Sequence, residues 1–412
     1  MTVSKLRIAI VGGGVAGASL ANALAQCNNL TLQLFESAPK FSERGAAVGL
    51  SKHAQNALKL AVADYNGVIK KSGAVEMGAA CMHVGCGKYH GEEMKDIETD
   101  GSLYIVHRAS LLRELLAPLP ESILYPNKKL CKIEPLDDSV RLTFEDGHSD
   151  TFDAVIGADG IFSFVRKHVI GSEADKPTPA GFWNCIAIVP MELAREKLGD
   201  KPFQSHRQWV RGGGSAFTMT DVVENGTMVQ IVMAHVETEH PSDRKQAMSR
   251  DDLKDAFQDW LSDPFAHGMI DLLTPDGEVT AYSQWEHLNT STYTNKHVCI
   301  MGDAAHASTP WQGAGAGLAI EDAVILAAVL AKVTTAKEIP AAFAVYDAVR
   351  RSRGNMLVHN SREAGALICN ADKYTPAELK ATLNGRWDYL RYFDLAAQRT
   401  EVVEKMDALL KE

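Results

Sequence analysis

The fold of this chain is decided by the stretch Ile8-Ala9-Ile10-Val11-Gly12-Gly13-Gly14-Val15-Ala16-Gly17 near its beginning. The apolar first half of this stretch predicts a buried strand. Its glycines form a G-x-G-x-x-G turn that leads into an alanine- and leucine-rich helix, Val15–Gln26. Thr31–Phe35 predicts a second strand, which ends at Glu36. Strand, glycine turn, helix, strand and acid in this order indicate a βαβ unit that binds a dinucleotide.

Each residue of this fingerprint has a predicted task. Gly12 would allow the tight turn, Gly14 would let the backbone approach a pyrophosphate, and Gly17 would let the helix pack closely on the strand. Glu36 would accept hydrogen bonds from the hydroxyls of a ribose. These features do not distinguish NAD from FAD.

A second glycine-rich segment lies about 290 residues further along the chain, at Met301-Gly302-Asp303-Ala304-Ala305-His306 and Gly313–Gly317. It predicts a strand that ends in Gly-Asp, a loop of small residues, and a helix that begins near Gly315. The Asp303 carboxylate could bind a ribityl or ribose hydroxyl, and the free N–H groups of the helix N-terminus favour an anionic ligand. Two such half-sites predict one long cofactor, FAD, held from both ends.

Size and composition favour an ordinary globular enzyme. The chain has 412 residues, which suits two domains, with 46% hydrophobic and 23% charged residues. A net charge of −10 without a basic cluster argues against nucleic acid and anionic membranes as partners. Apolar runs are shorter than the roughly 18–20 residues of a membrane span, and the first strand follows too soon for a signal peptide. Seven scattered cysteines are typical of reduced thiols, so a cytoplasmic protein is expected.

Cys81, His83, Cys86 and His90 could suggest a metal site. Their spacing is not C-x-x-C, and a strand would alternate these side chains between its two faces. Buried thiols in a strand are the favoured interpretation, and no metal is predicted.

The predicted fold class is α/β with two domains. A Rossmann-like domain, residues 1–176 and 286–412, would bind the cofactor and end in C-terminal helices. Residues 177–285, with some strands near 73–106, would form an inserted, mainly antiparallel substrate domain. Two local expectations accompany this division: Ser110 caps a helix at Leu111–Leu116, and Arg350, Arg351 and Arg353 form an arginine-rich turn.

Three segments together resemble the single-component FAD-dependent aromatic hydroxylases, those related to salicylate and p-hydroxybenzoate hydroxylase. They are Gly12–Gly17 with Glu36, Asp159-Gly160 with Arg166, and Gly302-Asp303 through Asp322. The stretch that begins with His107-Arg108 is similar to the one in which that family sets an arginine beside the flavin. The matching segments cover a little under half of the chain.

The resemblance implies hydroxylation of an aromatic or phenolic substrate, similar to salicylate, through a flavin C4a-hydroperoxide formed with O2. NADH or NADPH would be a transient co-substrate, because no second G-x-G-x-x-G follows a strand. A monomer or homodimer is expected. Asp159 could serve the cofactor or simply cap the next helix. The predicted cofactor-binding residues are Gly12, Gly14, Gly17, Glu36, Arg44, Gly49, Arg108, Asp159, Asp303, Gly313, Gly315 and Ala316.

The substrate side departs from the pattern of the relatives, since the arginine and tyrosine with which some members hold a phenolate are not evident. The predicted pocket residues are Trp183, Phe217, His235, Pro310 and Trp311. The weak candidates for a polarising or catalytic group are Arg207, Arg211, His235 and Tyr282. An epoxidase, a reductase or another flavoprotein of this fold that does not act on an arene stays an alternative, as does a flavin-binding regulatory module.

Overall fold

The computed structural model describes residues 5–42, 46–171, 176–204, 208–241 and 243–411. For residues 79 and 95–102 only the backbone is described. Its strands are β1 (Leu6–Val11), β2 (Leu30–Phe35), β3 (Ala47–Leu50), β4 (Val75–Val84), β5 (Glu93–His107), β6 (Leu124–Tyr125), β7 (Leu130–Pro135), β8 (Val140–Phe144), β9 (Ser149–Phe152), β10 (Ala154–Gly157), β11 (Thr178–Pro190), β12 (Gln208–Gly213), β13 (Ala216–Val223), β14 (Met228–Val236), β15 (Lys245–Ser249), β16 (Glu278–Glu286), β17 (Thr294–Asn295) and β18 (Val298–Ile300).

The helices surround these strands and dominate the C-terminal third. They are α1 (Val15–Leu24), α2 (Lys52–Ala61), α3 (Tyr65–Lys71), α4 (Arg108–Leu116), α5 (Phe164–Ile170), α6 (Met191–Leu198), α7 (Arg250–Ala256), α8 (Pro264–Leu273), α9 (Asp303–His306), α10 (Gly315–Leu330), α11 (Ile339–Cys369), α12 (Pro376–Leu383), α13 (Asp388–Arg391) and α14 (Leu395–Leu409). Among the described residues, no helix is long and apolar enough to cross a membrane.

The first sheet has the strand order β17-β18-β10-β1-β2-β6, in which β18, β10, β1, β2 and β6 run parallel. Strand β1 is central, and it is buried from Ile8 to Val11, as the continuous apolar sequence of these four residues requires. Residues of α1, α5, α10 and α11 complete this core. Helix α10 is apolar around most of its circumference and is buried for that reason. The Rossmann-like part of the predicted fold class is confirmed.

The second sheet has nine strands in the order β15-β16-β11-β14-β13-β12-β4-β5-β3. Its pairings are antiparallel except for β12 with β4, which confirms a mainly antiparallel second sheet. One face packs against α6, α7 and α8, whereas the other faces α11 and α12. Because side chains alternate along a strand, neighbouring residues belong to different faces. This alternation decides which side chains can approach the cofactor-binding sheet.

Two local expectations were wrong. Helix α4 begins at Arg108 with His107 as its N-cap, so Ser110 lies inside the helix and donates a hydrogen bond to Glu224 (2.7 Å) instead of capping it. The arginine-rich segment is not a turn but the middle of the 31-residue helix α11. Buried carboxylates, described below, hold Arg350 and Arg353, whereas Arg351 pairs with Asp347 of the same helix (3.0 Å).

Candidate active site

The carboxyl ends of the parallel strands bring four of the predicted cofactor residues to one edge of the first sheet, namely Gly12, Glu36, Asp159 and Asp303. The turn after β1 is tied to β2 by Gly12 N–H, which donates to Phe35 O (2.8 Å), and to β10 by Ala158 N–H, which donates to Val11 O (2.7 Å). Met301 N–H donates to Gly157 O (2.9 Å), which adds the end of β18 to the same edge. Ligands of open parallel sheets bind outside this edge.

The glycine turn is too tight to hold side chains. Gly12 has a φ of +109°, and a Cβ there would overlap the carbonyl of Ala158, while a Cβ on Gly17 would overlap the carbonyl of Gly12. Gly14 is the N-cap of α1. The Glu36 carboxylate accepts hydrogen bonds from Gly13 N–H (2.9 Å) and Ala38 N–H (2.8 Å), which places this acid beside the turn. The backbone therefore forms a cradle for a phosphorylated ligand at the N-terminus of a ten-residue helix.

The two glycine-rich segments meet in space. An added Cβ on Gly302 would lie 3.0 Å from the Cβ of Ala16 in α1. Asp303 follows as an exposed residue that has no hydrogen-bond or ion-pair partner among the described residues. Gly313 has a φ of +63°, Gly315 is the first residue of α10, and Ala316 is the second. FAD has a pyrophosphate at its centre and hydroxyl groups on both sides of it. The backbone N–H groups of the glycine turn fit the pyrophosphate, and the Glu36 and Asp303 carboxylates fit the hydroxyls.

Asp322 supports the Gly302 turn from beneath. Its Oδ2 accepts hydrogen bonds from Gly302 N–H (3.0 Å) and His306 Nε2 (2.6 Å), and its Oδ1 accepts one from Arg350 Nε (2.8 Å). Burial by itself raises the pKa of Asp322, but the charges of His306 and Arg350 outweigh burial and lower it. The orientation of Asp303 thus depends on a buried ion network that ends in α11.

The neighbouring Glu321 is the centre of that network. Its two oxygens accept hydrogen bonds from Arg350 (2.8 Å), from two nitrogens of Arg353 (2.7 and 2.9 Å) and from His53 Nδ1 of α2 (2.8 Å). Burial opposes ionisation, yet Arg350, His53 and Arg353 bring the pKa of Glu321 well below its ordinary range. The arginines lie in the middle of α11 because they neutralise this pair of buried acids. The sequence did carry a signal for this network. The adjacent acids Glu321 and Asp322 interrupt the apolar sequence of α10, and the next long helix, α11, contains arginines that can neutralise them.

The remaining predicted cofactor residues are placed as follows. Asp159 accepts hydrogen bonds from the N–H groups of Phe164 (2.7 Å) and Val165 (3.1 Å) at the start of α5, whose N-cap is Ser163, and burial raises the pKa of Asp159. Gly49 lies in β3 opposite Ile105 of β5, and Arg108 directly follows β5. Arg44 lies outside the described residues.

The comparison with known proteins supports what the geometry suggests. Residues 137–361 match the family of FAD binding domains. The 6-methylsalicylate 1-monooxygenase of Aspergillus terreus is 34% identical over 98% of this chain and 93% of its own length. The chain belongs to the FAD-dependent monooxygenases.

Two further relatives define the type of monooxygenase. Salicylate hydroxylase of Pseudomonas putida is 30% identical over 97% of this chain and 95% of its own length. The structure of a salicylate hydroxylase substrate complex superposes with a TM-score of 0.83 at 26% identity, covering 97% of this chain and 98% of that one. The monooxygenase is therefore of the salicylate hydroxylase type, and FAD is its cofactor.

Two of the predicted pocket residues, Trp183 and His235, lie on the face of the second sheet that α7 and α8 cover. The rings of Trp183 and His235 stack at 5.8 Å and both contact Phe257, on the face that α7 and α8 cover. Arg211 lies on this face as well, paired with Asp263 and 4.4 Å from the Phe265 ring. Trp183, His235 and Arg211 therefore lie on the opposite face of the sheet from α11, which argues against their lining a pocket beside the cofactor-binding loops.

The other face carries an aromatic cluster that reaches the glycine-rich loop. Trp311 contacts Phe182 (5.0 Å between ring centroids) and Phe217 (4.9 Å), both edge-on, and Pro310 beside it is exposed. Phe217 and Trp311 are among the predicted pocket residues, whereas Phe182 is not, because β11 is apolar on both faces and its sequence does not single out Phe182. Tyr282 is 47% exposed, and Arg207 lies outside the described residues. We call Phe182, Phe217 and Trp311 the aromatic wall.

Proposed function

We propose that this monooxygenase hydroxylates a small aromatic or phenolic acid of the salicylate class, using O2 and NADH or NADPH. The observation that carries the proposal is the aromatic wall. Trp311 lies between Asp303 and the glycine-rich stretch that begins at Gly313, and it contacts two rings from the second sheet. A flat apolar ring can pack against such a surface. The named substrates of the relatives, 6-methylsalicylate and salicylate, are of this class.

Different residues of this chain would hold different parts of FAD and of the substrate. Gly12–Gly17 and the N-terminus of α1 would hold the pyrophosphate, Glu36 a ribose and Asp303 the ribityl chain. When bound, FAD supplies the redox chemistry, accepting reducing equivalents from the nicotinamide and activating oxygen. The aromatic wall would orient the substrate ring and exclude water from the reacting atoms.

The sequence and the second sheet both support transient binding of the nicotinamide co-substrate. The Gly212-Gly213-Gly214 stretch lies where β12 turns into β13, in an antiparallel hairpin, and no helix follows it. The described residues therefore offer no second G-x-G-x-x-G turn between a strand and a helix for a nicotinamide dinucleotide. We infer that NADH or NADPH reduces the flavin and leaves before oxygen transfer.

The remaining assignments are part of the same proposal. Residues 1–176 and 286–412 are assigned to FAD binding and residues 177–285, with strands β4 and β5, to the substrate. The seven cysteines all lie among the described residues and form no disulfide, which supports a reducing compartment such as the cytoplasm. A monomer or a homodimer is proposed.

Anaerobic stopped-flow absorbance of the flavin band tests this function. We expect slow reduction by NADH or NADPH alone, and at least tenfold faster reduction with one or more members of a panel of hydroxybenzoates. Under air, mass spectrometry should find one oxygen atom added to that compound. Reduction rates that are the same for all phenolic acids would contradict aromatic hydroxylation. Acceleration by alkenes instead would favour an epoxidase, and rapid reduction without any substrate would favour a reductase.

A further inference from the structure

Near its end, strand β16 carries a buried side chain, Gln284, that has no hydrogen-bond partner among the described residues. Gln284 is only 7% exposed, and neither its Oε1 nor its Nε2 has a hydrogen-bond partner among the described residues. A buried amide without partners destabilises a protein, so such groups are rare unless a ligand or water binds them. Gln284 therefore has unused capacity for one acceptor and two donor contacts.

The strand register gives the direction of this side chain. Ser283 is opposite Trp183, whose ring lies on the face covered by α7 and α8. Because side chains alternate, Gln284 and Phe182 belong to the other face, where Phe182 contacts Trp311. The Gln284 amide is thus on the side of the sheet that carries the aromatic wall.

A second buried polar residue on β16 confirms this direction. Glu286 is two residues further, hence on the same face, and it is fully buried. Its carboxylate lies 2.9 Å from Arg362 Nη1 of α11, within ion-pair distance but without hydrogen-bond geometry. One turn further along α11, an added Cβ on Gly365 would collide with the Trp311 indole. The end of β16, α11 and Trp311 therefore surround the same region.

We propose that Gln284 binds the ring hydroxyl of the aromatic substrate and thereby selects hydroxylated over unsubstituted aromatic acids. This inference rests on the function proposed above. A phenolic hydroxyl both donates and accepts, as the two ends of a primary amide do, whereas a methyl group or hydrogen satisfies neither. Sites that hydrogen-bond a substrate hydroxyl reject the analogue without it strongly, because the buried partner is then left unpaired.

The test compares Gln284→Leu with the wild-type holoenzyme and with Gln258→Leu, a matched change at an exposed glutamine. The flavin absorbance change on titration reports binding of salicylate, other hydroxybenzoates and benzoate. For the hydroxybenzoate that binds wild type best, we expect Gln284→Leu to weaken binding by roughly 10- to 100-fold. The affinity for benzoate should stay within threefold, and Gln258→Leu should match wild type throughout.

Two further measurements separate substrate recognition from other roles of the amide. FAD content should equal that of wild type, and the substrate-free melting temperature should be unchanged or higher, because an unpaired buried amide has been removed. Loss of FAD would assign Gln284 to the cofactor, and a lower melting temperature would assign it to the fold; either result overturns the inference. Unaltered binding of the hydroxybenzoate by Gln284→Leu overturns it too. If wild type binds no hydroxybenzoate, the proposed function fails and the inference with it.

Discussion

Replacing Glu321 by glutamine should lower the free energy of unfolding by about 3–5 kcal/mol, the usual cost of removing one partner from a buried ion pair. Glu321 is fully buried and accepts four hydrogen bonds, from Arg350, Arg353 and His53, at 2.7–2.9 Å. Glutamine has nearly the same shape but no charge. The positive charge of Arg353 would then lose its carboxylate partner, whereas Arg350 would keep Asp322.

Glu363→Gln is the matched control. Glu363 also lies in this helical region and pairs with an arginine, Arg386, at 3.0 Å, but its side chain is 62% exposed. Exposed ion pairs contribute about 0–1 kcal/mol, so this variant should be close to wild type. Urea denaturation of the holoenzymes at pH 7 measures both changes. A difference of less than 1 kcal/mol between the two variants would refute the assignment of Glu321 as the centre of the network.

The pH dependence of the Glu321 effect provides a second check. Since the pKa of Glu321 is lowered by folding, its contribution is complete above the ordinary value of about 4.5 and is lost as the pH falls below it. The stability difference between wild type and Glu321→Gln should therefore be constant from pH 6 to 8 and shrink in acid. A difference that grows on acidification would contradict this reasoning.

Three further predictions concern the site. Asp303→Ala should weaken FAD binding roughly 10- to 150-fold, measured by fluorescence of released flavin, because a charge-assisted bond to a hydroxyl is lost, whereas Glu93→Ala at an exposed position should not. Burial raises the pKa of Glu286 from 4.5 to about 7. Because the unfolded chain ionises at the lower pH, the free energy of unfolding of wild type should fall by roughly 3 kcal/mol between about pH 4.5 and 7. Urea denaturation should show that Glu286→Gln removes this pH dependence. Phe217→Ala should raise the KM for the substrate at least fivefold while His235→Ala changes it less than twofold; equal effects would contradict the assignment of the two sheet faces.

Much of the cofactor site could be predicted from the sequence because its signals are local. Gly12, Gly14 and Gly17 lie within six residues of one another, and the strand, turn and helix that they join follow in order. Parallel strands place their carboxyl ends at one edge, so Glu36 and Asp303 were expected near that turn without knowledge of the tertiary structure. The family, the α/β class and FAD all followed from these segments.

The substrate face could not be predicted from local signals. A shift of one residue moves a strand side chain to the opposite face, and β11 is apolar on both faces, so its sequence does not distinguish Phe182 from Trp183. Nor does composition show that Arg350 is buried, because an arginine in a helix is usually exposed unless distant acids pair with it. Only the tertiary structure brings Glu321 to the arginines of α11 and buries the Gln284 amide without a hydrogen-bond partner among the described residues, since both depend on contacts between elements far apart in the chain.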